Sequence, residues 1–162
     1  MTDPQQLVAE LESQQRRLVL DHFDEDDAWA LGCTLVELGR TRGLPIAVDV
    51  RRPGQRLFHA ALRGATADNA SWIERKIRVV ELTGDASYLV GRRHAATGAD
   101  FHGLRGLAVA DYATHGGCVP IRVRGVGVVA SVTVSGLPQA DDHALAVEAI
   151  EQTFGLGGRT GA

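Results

Sequence analysis

Two stretches of strict alternation constrain this chain more than any other feature. Ile46, Val48 and Val50 alternate with Ala47, Asp49 and Arg51, and beyond Pro53-Gly54-Gln55 the residues Phe58, Ala60 and Leu62 alternate with Leu57, His59 and Ala61. A period of two sends successive side chains to opposite faces of a strand. With Pro53-Gly54-Gln55 as the loop, Val50 faces Phe58, Val48 faces Ala60 and Ile46 faces Leu62, while Asp49 faces His59 on the other side. A slip of one residue would turn the whole apolar set toward water, so this register is strongly specified. The second stretch is a hairpin from Val119 to Val123, Gly125, and Val126 to Ser135. Val126, Val128, Ala130, Val132 and Val134 share one of its faces; Gly127, Val129, Ser131, Thr133 and Ser135 share the other. That second face is small and hydroxylated, which leaves room for a closely packed helix or for a ligand.

Helical periodicity accounts for most of the rest. Pro4 to Arg17 reads as an opening helix, followed by a short strand within Leu18 to Phe23. The acidic run Asp24 to Asp27 suits the first turn of a second helix, where the dipole favours negative charge. In that helix, which extends to about Thr41, Ala28, Leu31, Leu35 and Leu38 form a stripe that Trp29, Cys33 and Val36 widen, predicting a mostly buried element. Gly43 and Pro45 end it. Thr66 caps a third helix, with Trp72, Ile73, Ile77 and Val80 expected inward and Glu74, Arg75, Lys76 and Arg78 outward; Gly84 breaks it. A helical piece follows from Asp85 to Ala96. Thr97 to Gly117, with five glycines, reads as a long and mostly irregular connection. Pro138 opens a last helix with His143, Val147, Ile150 and Phe154 on its buried stripe. The pattern is that of one α+β domain over residues 1–154 with a flexible glycine-rich tail at 155–162.

A chain of 162 residues buries enough surface to be stable without disulfides or metals. Cys33 and Cys118 lie far apart and outside any CxxC pair, which points to a reducing compartment. The N-terminal residues lack the basic start and apolar run of a signal peptide. No stretch reaches the roughly 18 apolar residues of a membrane span. The expectation is a cytoplasmic protein. A formal charge of −3 supports neither nucleic acid nor an anionic membrane as a partner. Sixteen of the seventeen basic residues are arginine, and the remaining one is Lys76.

Taken together, Trp72, Arg75-Lys76, Tyr112, His115-Gly116-Gly117, Pro120-Ile121, Ser135-Gly136-Leu137-Pro138 and Asp142-His143 make a chain that resembles the haem-degrading-domain family of GlcG and HbpS type. The nearer likeness is to a subgroup of uncharacterised proteins within it, and it covers about Leu18 to Phe154. The resemblance implies a profilin-like fold, a five-stranded antiparallel sheet flanked by helices, together with assembly into a symmetric homo-oligomer. It also implies binding of haem or a related tetrapyrrole, with no iron ligand carried over.

The residues themselves offer several chemistries. His94, His102 and His115 fall in one region, but their spacings of eight and thirteen match no compact metal motif, so no metal site is assigned. In His115-Gly116-Gly117, consecutive glycines allow backbone N–H groups to approach an anion such as a propionate; a tight turn is the alternative. Arg75 and Lys76 add positive charge. Ser135 ends the small-residue strand face, and Tyr112 lies just before the glycine pair. These seven residues are the candidate ligand site. Asp49 opposite His59 has the form of an oriented imidazole, yet no nucleophile accompanies it and a structural contact explains it as well. Ser135 followed by Asp141 and Asp142 lacks the GxSxG elbow and reads as a strand end before acids at a helix N-terminus. His143 reads as a packed core histidine. Three functions are therefore carried forward: a small-molecule binder, for haem or another anionic planar ligand, acting as an oligomer; a noncatalytic oligomeric scaffold or interaction protein; and a hydrolase or lyase using Asp49 and His59. No catalytic residue is assigned.

Overall fold

The computed structural model describes residues 3–157. In chain order the elements are α1 (Pro4–Arg17), β1 (Val19–Leu20), α2 (Glu25–Thr41), β2 (Ala47–Arg52), β3 (Gln55–Ala61), α3 (Ala67–Thr83), α4 (Ser87–Thr97), α5 (Phe101–Arg105), β4 (Cys118–Val123), β5 (Gly127–Ser135) and α6 (Gln139–Phe154). The five strands form one sheet in the order β1-β4-β5-β2-β3, flanked by helices on both faces. The α+β, profilin-like arrangement holds, with one correction. The sheet is mixed and not purely antiparallel, because β1 runs parallel to β4. Parallel neighbours need a long crossover, and everything from α2 to α5 supplies it.

The β2–β3 register is the one that alternation requires: Val48 pairs with Ala60, Asp49 with His59 and Val50 with Phe58. The turn is shorter than expected. Arg52 pairs with Gln55, so Pro53-Gly54 alone makes the turn, and a register shift after Val50 leaves Leu57 as the extra residue of a bulge. Strand β5 pairs antiparallel with both β4 and β2.

Ile46, Val48, Val50, Val119, Ile121, Ala130, Val132 and Val134 bury one sheet face against Ala28, Leu31 and Leu35 of α2 and Leu145, Ala146, Ala149 and Ile150 of α6. The β5 stripe ends at Ala130. A shift in register beyond Ile121 breaks the alternation at Val129, and Val126 and Val128 are exposed. Helix α3 covers the opposite, polar face, closing over Ser131, Thr133 and Ser135, so close helix packing takes up most of the expected room. Helix α1 packs outside α4.

Two further expectations change. Helix α2 is buried along a narrower arc than predicted, because Gly32 and Gly39 press against Phe58 and Leu62, which leaves Cys33 exposed and Trp29 64% exposed on the outer rim. The connection from Thr97 to Gly117 contains α5, whose Asp100 accepts from His102 N at 3.1 Å and whose Phe101 is buried with Val79 and Val90. Gly155, in the left-handed region, caps α6, and Leu156 packs on the core; residues 158–162 of the expected tail lie outside the described residues. Among the described residues, no helix is long and apolar enough to cross a membrane.

Candidate functional site

Lys76 overturns the outward placement expected for it. Its position on α3 falls three after Ile73 and four before Val80, on the stripe that faces the sheet, and the residue is only 3% exposed. Nζ donates to Asp142 Oδ2 at 3.0 Å and to the Val134 carbonyl at 3.1 Å. Asp142, 2% exposed, also accepts from Leu137 N at 2.9 Å and Gly136 N at 3.4 Å. One buried carboxylate thus joins α3, the end of β5 and the start of α6. Burial drives Lys76 below and Asp142 above their ordinary values, each opposed by the partner's charge.

Gly117 makes room for this pair. At φ 131° its carbonyl accepts from Val134 N at 2.9 Å, and a Cβ there would collide with the Val134 carbonyl and crowd Lys76 Nζ. Gly116 is equally confined: a Cβ would strike the Gln139 backbone, and its N–H already donates to Gln139 Oε1 at 3.2 Å. These glycines serve close backbone packing, with the Gly116 N–H already spent within the protein.

Beside the pair opens a cleft of about 260 Å³, bounded by Asn69, Trp72, His115, Ser135 and Gln139, with Lys76 and Asp142 also in its wall. His115 stands exposed at the rim, its ring edge-on to Trp72 at 4.9 Å. The guanidinium of Arg75 lies 4.3 Å from the Trp72 ring centroid and donates to the Val109 carbonyl at 3.0 Å. That of Arg92 lies 5.5 Å from Tyr88. The Nε atoms of both arginines are buried without a protein partner. Partial burial, then the charges of Lys76, Arg75 and Arg92, hold the His115 imidazolium below the usual histidine range. The rim is a neutral imidazole and an indole surrounded by cations.

Of the seven candidate residues, Lys76, His115 and Ser135 line the cleft, Arg75 adjoins it through Trp72, and Gly116 and Gly117 lie behind it. Tyr112 does not line it. That residue packs beside Phe101, with its carbonyl accepting from His102 Nε2 at 2.8 Å. Nor do the three loop histidines converge: His94 bonds the Val90 carbonyl at 2.8 Å, and His94 and His102 flank Phe101. Sequence reasoning left Asp142, Trp72, Asn69 and Gln139 out of the site. The missed signal was the 73-76/77-80 spacing, which places Lys76 inward and requires an anion for it.

Elsewhere, Asp49 is fully buried and lies 3.4 Å from His59 Nδ1. Its oxygens are taken by Arg51 at 2.7 Å, twice, and by Arg56 at 3.0 Å, and Glu74 bonds both arginines. This is a clamp between α3 and the sheet. Cys118 is sealed beneath α3, its thiol pushed up to about 12 by burial. His143 is buried, donates from Nε2 to Gln14 Oε1 at 2.8 Å in its neutral form, and is pushed down to about 4 by burial.

The chain is 60% identical over 145 residues to a UPF0303 protein of Streptomyces avermitilis, covering 90% of this chain and 89% of that one. To the UPF0303 protein of Streptomyces coelicolor it is 59% identical over 148 residues, covering 91% and 94%. Among solved structures, the Ybr137w protein superposes with a TM-score of 0.82 at 30% identity, over 91% of this chain and 87% of that chain. HbpS superposes at 0.61 with 21% identity, over 81% and 89%, a likeness of fold. The model of the family described as "Haem degrading protein HbpS-like" matches residues 23–151, and the chain belongs to that family.

Proposed function

We propose that the protein binds a small anionic ligand at the rim beside His115, with haem or a related planar carboxylate as the first candidate. The observation that carries this reading is Arg75 stacked on the Trp72 indole beside His115, with Lys76 in the same wall and the Nε atoms of Arg75 and Arg92 buried without a protein partner. Charged donors held in a partly dry site favour an anion over water. The description of the family names haem, and a solved structure of this fold, PduOC, is a haem complex. The residues present suit that group: Arg75 and Arg92 would take its propionates, Trp72 would meet its ring, and His115, held neutral, offers a nitrogen of the kind iron accepts. Bound haem would supply redox chemistry at iron; the chain's part is to hold the carboxylates and present the imidazole. A cleft of about 260 Å³ lies below the roughly 300–1,000 Å³ of sites that enclose drug-sized ligands, so a planar ligand would lie across the rim with one edge inserted. The test is haemin titration of a Trp29→Phe protein, read by Trp72 fluorescence and the Soret band. Saturable quenching with a shifted band supports the reading, and its absence rejects it.

A second reading, self-association, is favoured by one observation. Strand β3 is an edge of the sheet, and beside it lies a groove of about 750 Å³ bounded by Trp29, Cys33, Val36, Leu57 and Phe58. An edge strand leaves backbone groups unpaired, and exposed apolar surface next to it suits a second copy. Light scattering of wild type and Trp29→Glu tests it: a multimer that the variant dissociates supports this surface, whereas a monomeric wild type rejects it.

A further inference from the structure

We propose that Lys76 is a reactive amine which condenses reversibly with the carbonyl group of a small oxo acid entering the cleft. The inference rests on the anion-binding reading of the same site and adds covalent chemistry to it. Lys76 is the only lysine in a chain with sixteen arginines, and it sits where a side chain meets the cleft instead of on the solvated surface that lysines usually occupy. A structural cation could be arginine, as it is at Arg51 over Asp49. An ammonium differs in that it can lose its proton and become a nucleophile, which a guanidinium does not do in proteins.

The surroundings match that use. Nζ spends one donor on Val134 and one on Asp142, so a third remains. A Cβ at Gly117 would stand 2.7 Å from Nζ, so the glycine is what lets the amine lie here. Asp142, 3.0 Å away, is a base already in contact with the proton that must leave. Burial favours the uncharged forms of both partners. Desolvated lysines of this kind form Schiff bases with carbonyl substrates. The cationic rim at Arg75 and Arg92 would hold the carboxylate, and the small volume limits the substrate to a few heavy atoms.

Asp142 takes a proton from the ammonium, and the freed electron pair on Nζ attacks the carbonyl carbon while its oxygen gains a proton from Asp142. Asp142, again a carboxylate, takes a proton from the carbinolamine nitrogen and passes it to the hydroxyl, which leaves as water while the freed nitrogen pair forms the C=N bond of a protonated imine. One amine and one carbonyl thus yield one imine and one water, with no oxidant or reductant required.

Pyruvate with borohydride is the test, on the whole chain in the Trp29→Phe background, with Trp72 fluorescence read in parallel. Peptide mapping assigns the reduced adduct, and the terminal amine serves as the internal control. The expected result is an adduct on Lys76 exceeding that on the terminal amine, lost in Lys76→Arg. Quenching of Trp72 by pyruvate with no Lys76 adduct overturns the covalent step and leaves anion binding standing. Neither quenching nor adduct overturns it too, and haemin titration then decides the binding reading separately.

Discussion

Lys76 Nζ and Asp142 Oδ2 meet at 3.0 Å, both out of water, across 66 residues of chain. Removing one partner of a buried pair leaves a bare charge, which costs about 3–5 kcal/mol, whereas replacing both with apolar residues is often neutral. Lys76→Met and Asp142→Leu should each lower stability by that order. The double variant should recover most of the Lys76→Met loss but not all of the Asp142→Leu loss, because Gly136 and Leu137 N–H groups lose their acceptor. Urea unfolding of the four proteins measures it.

His143 should impose an acid-side loss of stability. Its folded value is about 4 against an ordinary 6.5, so below pH 6.5 the unfolded chain takes up a proton that the folded one refuses. Stability contributed by the neutral ring is full above pH 6.5, falls as pH drops toward 4, and has gone below that. The span corresponds to roughly 3 kcal/mol. His143→Gln should flatten the part of the urea-midpoint profile between pH 6.5 and 4 that exceeds the carboxylate background.

Gly117→Ala and Gly125→Ala separate collision from conformation. Both residues have positive φ, 131° and 74°, but only at Gly117 does a Cβ strike neighbouring atoms. Gly125→Ala should cost about 1–2 kcal/mol from the left-handed backbone alone. Gly117→Ala should cost ~3 kcal/mol or more and disturb Lys76. Thermal melts rank the two.

Asp49 and His59 should prove unequal. Asp49→Ala removes the buried carboxylate that Arg51 and Arg56 share, leaving both to Glu74, and should cost about 1.5–3 kcal/mol. The exposed His59 is expected to tolerate alanine within ~0.5 kcal/mol. Neither change should alter haemin affinity, while Arg75→Gln should weaken it on the order of tenfold through loss of a charged contact. Loss of binding in His59→Ala would move the site to the Asp49 clamp.

Much of the fold is readable from local pattern. Alternation along Ile46–Leu62 determined which faces pair, since a one-residue slip reverses every side chain, and caps at Asp24, Thr66 and Gly84 marked helix ends within a residue or so. The polarity of Lys76 and Asp142 is equally plain, but their burial is not. Helical spacing puts Lys76 on the inner stripe, and charge argues for water; only the docking of α3 over β5 next to the first turn of α6 decides between them, by supplying an anion where the chain has no local means to predict one. The same holds for β1. Its two residues carry no sign of the direction in which β4 will lie alongside, because that choice belongs to the path of the nearly one hundred residues between them.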